Sequence, residues 1–142
     1  MIAVDTNILV YAYDESSPAH ERALSAMEEL VSGPSWGLPW IVAGEFYSVL
    51  TDARLWREPH VDGGLSALDA WIGTPGARLL AEPPGHWPYL RALLAGARPL
   101  GRRVHDARIA AVCLAAGVSE LWSSDRDFSW YPQLNVRNPL VG

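Results

Sequence analysis

Short apolar runs bounded by turn residues alternate along this chain with longer stretches of helical spacing, and few folds accept that alternation. Ile2 to Asp5, the segment Ser35-Trp36-Gly37-Leu38-Pro39, Ala77 to Ala81, Glu120 to Trp122 and a last short edge at Val136 read as strands. Between them, Thr6 to Tyr13, Ser17 to about Val31, Trp40 to Thr51, Asp62 to Ile72, Trp87 to Ala97 and His105 to Ala116 read as helices. Ser17-Pro18 offers a cap followed by proline at the first helical position, and Gly33-Pro34 stops the helix it opens. Strands separated by helices predict an α/β fold, a short, mainly parallel sheet of four to five strands between two layers of helices. There is no repeat and no linker-like stretch, and 142 residues is a one-domain length, so residues 1–142 are expected to form a single domain.

Several classes of function drop out at this stage. Cys113 is the only cysteine, which excludes a disulfide framework and a cysteine-rich zinc site and suits a reducing compartment. The first ten residues lack a basic leader and carry Asp5 among apolar neighbours, so neither a signal peptide nor a membrane anchor is expected. No stretch is long enough to span a bilayer, and a cytoplasmic location follows as the expectation. All eleven bases are arginine; any chemistry that needs a lysine is excluded. The net charge of −5 argues against a nucleic-acid partner only until four acids are set aside as metal ligands, which leaves the remainder close to neutral. Arg91, Arg98, Arg102, Arg103 and Arg108 share one stretch with a single acid, Asp106, and form a candidate positive patch.

The acids fall in unusual places. Asp5 and Asp125 each end an apolar strand run, and in a parallel α/β sheet the carboxyl ends of the strands are where ligands gather. Asp106 leads the stripe Ile109, Ala110, Cys113, Leu114 and Gly117, so it opens the inward face of its helix. Glu45 stands one turn from both Ile41 and Val49 and is flanked by Val42 and Phe46. Buried carboxylates need a partner. Two unit charges about 4 Å apart repel by roughly 4 kcal/mol at an effective dielectric near 20, so a convergence of carboxylates calls for a cation, and oxygen-only ligands favour Mg²⁺ or Mn²⁺. Each acid also has a structural reading: Asp5 and Asp106 as helix caps or first-turn charges, Asp125 in an Asx turn, Glu45 paired with an arginine.

Asp5-Thr6-Asn7 after the first strand, Glu45 in a helix some forty residues on, His105-Asp106-Ala107-Arg108-Ile109 and Ser123-Ser124-Asp125-Arg126-Asp127 together resemble the PIN domain, most closely the VapC-type toxins of bacterial toxin–antitoxin pairs. The resemblance spans nearly the whole chain and rests on the set and its order, not on any one motif. It implies that Asp5, Glu45, Asp106 and Asp125 form an acidic quartet binding Mg²⁺ or Mn²⁺, that Asn7 orders the pocket, and that Ser123 fills a place where the family commonly has threonine or serine. Asp127 matches a frequent family acid of open role. The resemblance further implies a ribonuclease that leaves 5′-phosphate and 3′-hydroxyl ends, a homodimer, and a small antitoxin that plugs the acidic pocket. Within that reading Asp5, Asp106 and Asp125 hold the principal ion, and Glu45 serves a second ion or positions the water. Arg102, Arg103 and Arg108 are the candidates for substrate phosphates.

Two phosphate-chemistry rivals fail on residues. A haloacid-dehalogenase-type enzyme needs a second aspartate at position 7, which is Asn7, and a later lysine; a receiver domain needs that lysine too. A catalytically silent PIN-like module that binds RNA or docks a protein remains as the alternative of another class. His105 is expected to be a surface residue and Cys113 a small core residue. Trp36, Trp40, Trp122 and Trp130 are expected in the core or in contacts between copies rather than as base-stacking platforms.

Overall fold

A computed structural model describes residues 1–142. The strands are β1 (Ile2–Val4), β2 (Trp36–Pro39), β3 (Ala77–Leu80), β4 (Glu120–Trp122) and β5 (Val136–Arg137). The helices are α1 (Thr6–Tyr13), α2 (His20–Ser32), α3 (Trp40–Leu50), α4 (Val61–Ile72), α5 (Trp87–Ala97) and α6 (Val104–Ala115). Two short 3₁₀ turns, Gly101–Arg103 and Arg126–Trp130, precede α6 and follow β4.

The sheet runs β3-β2-β1-β4-β5 with every pair parallel. From β1 the chain winds outward through β2 and β3, then crosses back to β4 and β5 on the other side. Right-handed crossovers therefore put the first four helices on one face and α5, α6 and the second turn on the other. The contacts agree: α1 packs on α2 and α3, α3 on α4, and α5 on α6, which also touches the Arg126–Trp130 turn. This is the three-layer α/β/α arrangement that the alternation predicts.

The reversal of winding direction lies between β1 and β4, where neighbouring loops splay apart and leave a crevice beyond the strand ends. The register there pairs Ile2 with Glu120, Ala3 with Leu121 and Val4 with Trp122. One step further, the Asp5 amide donates to the Trp122 carbonyl at 2.9 Å, and Asp5 and Ser123 stand side by side at the rim.

One hydrophobic cluster of 29 buried residues fills both sides of the sheet, with Trp36, Phe46, Ile109, Leu121 and Trp122 among its largest members. Gly37 lies in β2 because a Cβ there would come within 3.0 Å of Leu80 Cδ1 and 3.2 Å of Ala3 Cβ. Gly63 has a stricter reason. A Cβ at that position would fall 2.1 Å from Tyr13 Oη, which hydrogen-bonds His60 Nδ1 at 3.0 Å. Gly63→Ala must turn Tyr13 away and break that bond, so a loss of about 1–3 kcal/mol is expected in urea unfolding, as for other overpacked sites. Tyr13→Phe in the same chain should make the glycine substitution less costly than in the wild type, the sign of coupling between neighbours.

One expectation needs correction and another is narrowed. The second helix begins at His20, not at Ser17, because the Ser17 hydroxyl accepts from the Ala19 amide and its carbonyl from the His20 amide, which closes a turn ahead of the helix. Of the four tryptophans assigned to core or inter-copy contacts, Trp36 and Trp122 are buried, but Trp40 is 52% exposed and Trp130 42% exposed. Neither of the latter is a core residue.

Candidate active site

Asp5 is the first residue beyond β1 and the N-cap of α1, so its position follows from where the strand must stop and the helix start. It is 4% exposed. Its Oδ1 accepts from the Thr6 amide at 2.8 Å, and its Oδ2 accepts from Asn7 Nδ2 at 2.9 Å and Ser123 Oγ at 2.6 Å. Burial pushes its carboxyl up to about 6 against the pull of the Ser123 and Thr6 hydrogen bonds, and the charges of Glu45 and Asp125 push the same way. Asn7 ties the two rims together, because its Oδ1 also accepts from the Ser124 amide at 3.0 Å. Ser123 Oγ, while donating to Asp5, accepts from the Asp125 amide at 3.0 Å.

Asp125 closes the turn after β4: its Oδ1 accepts from the Asp127 amide at 2.8 Å and so starts the 3₁₀ turn that carries Asp127. The capping role considered for Asp5 and the Asx turn considered for Asp125 are therefore both present, and both residues still face the crevice. Asp106 lies in the first turn of α6, and its carboxylate makes no hydrogen bond within the chain. Burial, then the charges of Asp125, Asp5, Glu45 and Asp127, push its carboxyl up to about 7. Glu45 reaches the site from the middle of α3. Its partner is not an arginine but Thr6, whose hydroxyl donates to Oε2 at 2.7 Å. None of these acids forms an ion pair; the chain's ion pairs are Arg54 with Asp52 and Arg108 and His86 with Glu82.

Asp5, Thr6, Asn7, Glu45, Asp106 and Asp125, with Val10, Tyr11 and Val49, line one cavity of about 310 Å³ at the β1–β4 reversal. The tightest convergence is a subset with one addition: carboxylate oxygens of Asp106, Asp125 and Asp127 all lie within 4.8 Å of one another. Asp5 and Glu45 sit in the same cavity outside that trio. The donor set fits a hard divalent cation, since it is oxygen-only and uncompensated, and burial with surrounding like charge already opposes ionisation of Asp106. A larger cavity of about 630 Å³ backs onto the same turn and shares Asp125, but holds no second acid.

The arginines divide. Arg108 Nε donates to Glu82 Oε1 at 2.9 Å, whereas Arg103 lies over the Trp130 ring at 4.6 Å and Arg102 is exposed with no partner in the chain. His105 is exposed at the start of α6. Cys113 is buried beneath the site, its thiol pushed up to about 12 by burial and by the Asp5 charge, which makes it inert. Two residues near the acids had escaped the reading of the sequence. Thr6 holds Glu45, and its signal was a hydroxyl at the buried first position of a helix. Tyr131 is 2% exposed with an unpartnered hydroxyl; burial raises its phenol, and the Asp106 and Asp127 charges add to that. No sequence signal marks it.

The family model of the PIN domain matches residues 2–133. Ribonuclease VapC43 of Mycobacterium tuberculosis is 33% identical over 144 residues, covering 100% of this chain and 97% of that protein. Ribonuclease VapC48 of the same species is 30% identical over 140 residues, 97% of each. Among solved structures, VapBC2 from Rickettsia felis bound to a DNA fragment from its promoter superposes with a TM-score of 0.73 at 20% identity, covering 97% of this chain and 98% of that one. VapC20 of M. tuberculosis, a sarcin-ricin-loop-cleaving toxin, superposes with a TM-score of 0.70 at 19% identity, covering 91% and 93%. The structural likenesses speak for the fold, and the sequence likenesses for descent. This chain belongs to the PIN domain family, alongside the VapC ribonucleases.

Proposed function

We propose that this chain is a divalent-metal-dependent endoribonuclease and the toxin of a toxin–antitoxin pair, acting as a single domain over residues 1–142. The observation that carries the reading is the meeting of Asp106, Asp125 and Asp127 oxygens within 4.8 Å with no cation of the chain to balance them. Its relatives' names and the toxin–antitoxin complexes among its structural neighbours support the same reading.

In this reading Asp106, Asp125 and Asp127 hold Mg²⁺ or Mn²⁺, with Asp5 completing the principal site and Glu45 serving a second ion or the attacking water. Such an ion supplies an acidified water and stabilises charge on the phosphoryl oxygens, and that is the chemistry a phosphodiester needs. The chain's own groups do the positioning. Asp5 is fixed by three donors, Thr6 aims Glu45, and Asn7 and Ser123 keep the two strand ends in register. No histidine base is required. Arg102 and Arg103 stand at the edge of α6 to meet substrate phosphates; Arg108 must leave Glu82 to do so.

The test is incubation of purified protein with single-stranded RNA. Cleavage to 5′-phosphate ends with Mg²⁺ or Mn²⁺, abolished by EDTA and restored by excess ion, is the expected result. RNA left intact under all metals, or cleavage unaffected by chelation, sinks the proposal. A homodimer, a cytoplasmic site of action and an antitoxin encoded beside the gene belong to the same reading, and coexpression of that neighbour should relieve growth arrest. No helix is long and apolar enough to cross a membrane.

A further inference from the structure

Trp130 ends the Arg126–Trp130 turn, and Asp127 lies three residues before it. In a 3₁₀ turn, residues three apart eclipse one another, so the indole is set directly along from Asp127. Arg103 leads into α6 with helical backbone angles, three residues before Asp106, a spacing that brings Cβ atoms to about 5–6 Å. Asp106 and Asp127 face each other within 4.8 Å, and their neighbours one turn along meet as well: the Arg103 guanidinium carbon lies 4.6 Å from the centroid of the Trp130 ring. The cation–aromatic pair and the acids are thus two tiers of one wall.

We propose that Trp130 and Arg103 form a platform on which a base of single-stranded RNA stacks, next to the phosphate that the acidic site engages. The second half of that statement rests on the nuclease reading; the first is testable by binding alone. Trp130 is 42% exposed, in contrast to the buried Trp36 and Trp122. The Arg103 guanidinium has no ion pair or hydrogen bond within the chain, so its N–H edge is open to a phosphate while its face rests on the indole. An acidic crevice alone repels a polyanion, and a cationic lip one turn away offsets that repulsion where the strand enters. Every base has a π-face, so such a surface accepts many sequences; a duplex hides those faces.

The experiment uses the full chain carrying Asp106→Asn, which prevents cleavage, and a fluorescein-labelled twelve-nucleotide single-stranded RNA read by anisotropy in Mg²⁺. Adding Trp130→Ala should weaken binding about ten- to a hundredfold, the range for loss of one base–aromatic stack, while Trp130→Phe stays within about threefold of the parent. Arg103→Gln should weaken binding and reduce the salt slope by about 0.7, one single-strand phosphate contact. The proposal is overturned if Trp130→Ala and Arg103→Gln bind as the parent does, or if the parent binds duplex RNA equally well. It is also overturned if Trp130→Ala changes only the sedimentation of the protein, which would make the indole a contact between copies. Failure of the wild type to cut RNA would remove the nuclease reading and leave this binding comparison to decide the platform.

Discussion

Asp106→Asn should abolish RNA cleavage and at the same time raise the melting temperature of the metal-free protein at neutral pH. The two effects share one cause. Burial of a carboxylate that has no hydrogen bond, with the repulsion of four like charges added to it, pushes Asp106 up to about 7. Asparagine keeps the shape and removes the charge. The full shift corresponds to about 4 kcal/mol at 1.36 kcal/mol per unit, which solvent screening of a half-buried group reduces to about 1–2 kcal/mol of gained stability. The lost ligand removes several kcal/mol of transition-state stabilisation, on the order of a thousandfold in rate. Single-turnover cleavage and calorimetry on the same preparation check both signs. A residue that merely braces the fold would lose stability along with activity, and that outcome contradicts the assignment.

Adding Mn²⁺ at pH 7.5 should raise the melting temperature by about 5–11 °C at a hundredfold excess over its dissociation constant. That range follows from about 2.7 kcal/mol of linkage and about 2–4 °C per kcal/mol for a chain near this size. The gain should shrink toward pH 5. Asp5 and Asp106 have folded values of about 6 and 7 against an ordinary 3.8. Below pH 3.8 both groups are protonated, folded or not, and no penalty exists. As pH rises the unfolded chain ionises first, so metal-free stability falls through the interval from about 4 to 7 and the penalty is complete above it. Asp52, lowered to about 2 chiefly by its hydrogen bond from Arg54, acts with the opposite sign but only below this window. Metal-free stability that climbs from pH 5 to 8, or a melt indifferent to Mn²⁺, would contradict the ion site.

Much of the scaffold was readable because its signals are local. Thr6–Tyr13, Trp87–Ala97 and Glu120–Trp122 have the bounds that periodicity assigns, and the other elements shift by a residue or so at their ends. The exception, α2, moved because a hydroxyl can close a turn as readily as it caps a helix, and the two look alike in a Ser-Pro pair. Strand order was not readable: which strand pairs with β1 depends on helix packing across the whole chain. The acids at the strand ends could be placed on one rim by the general rule for parallel sheets. Their finer arrangement could not. Whether Asp127 joins Asp106 and Asp125 depends on a five-residue 3₁₀ turn, and the exposure of Trp130 depends on the same turn. Thr6 and Tyr131 are ordinary core-edge residues until distant side chains are brought beside them.

The hydrogen bond from Ser123 to Asp5 joins positions 118 residues apart, and Asp127 comes later still. A growing polypeptide therefore carries the first half of its centre from the outset and lacks the second until its final strands have left the ribosome. In the proposed reading, a chain cut short before β4 lacks Asp125 and Asp127 and should leave RNA intact, however completely its first strands have formed.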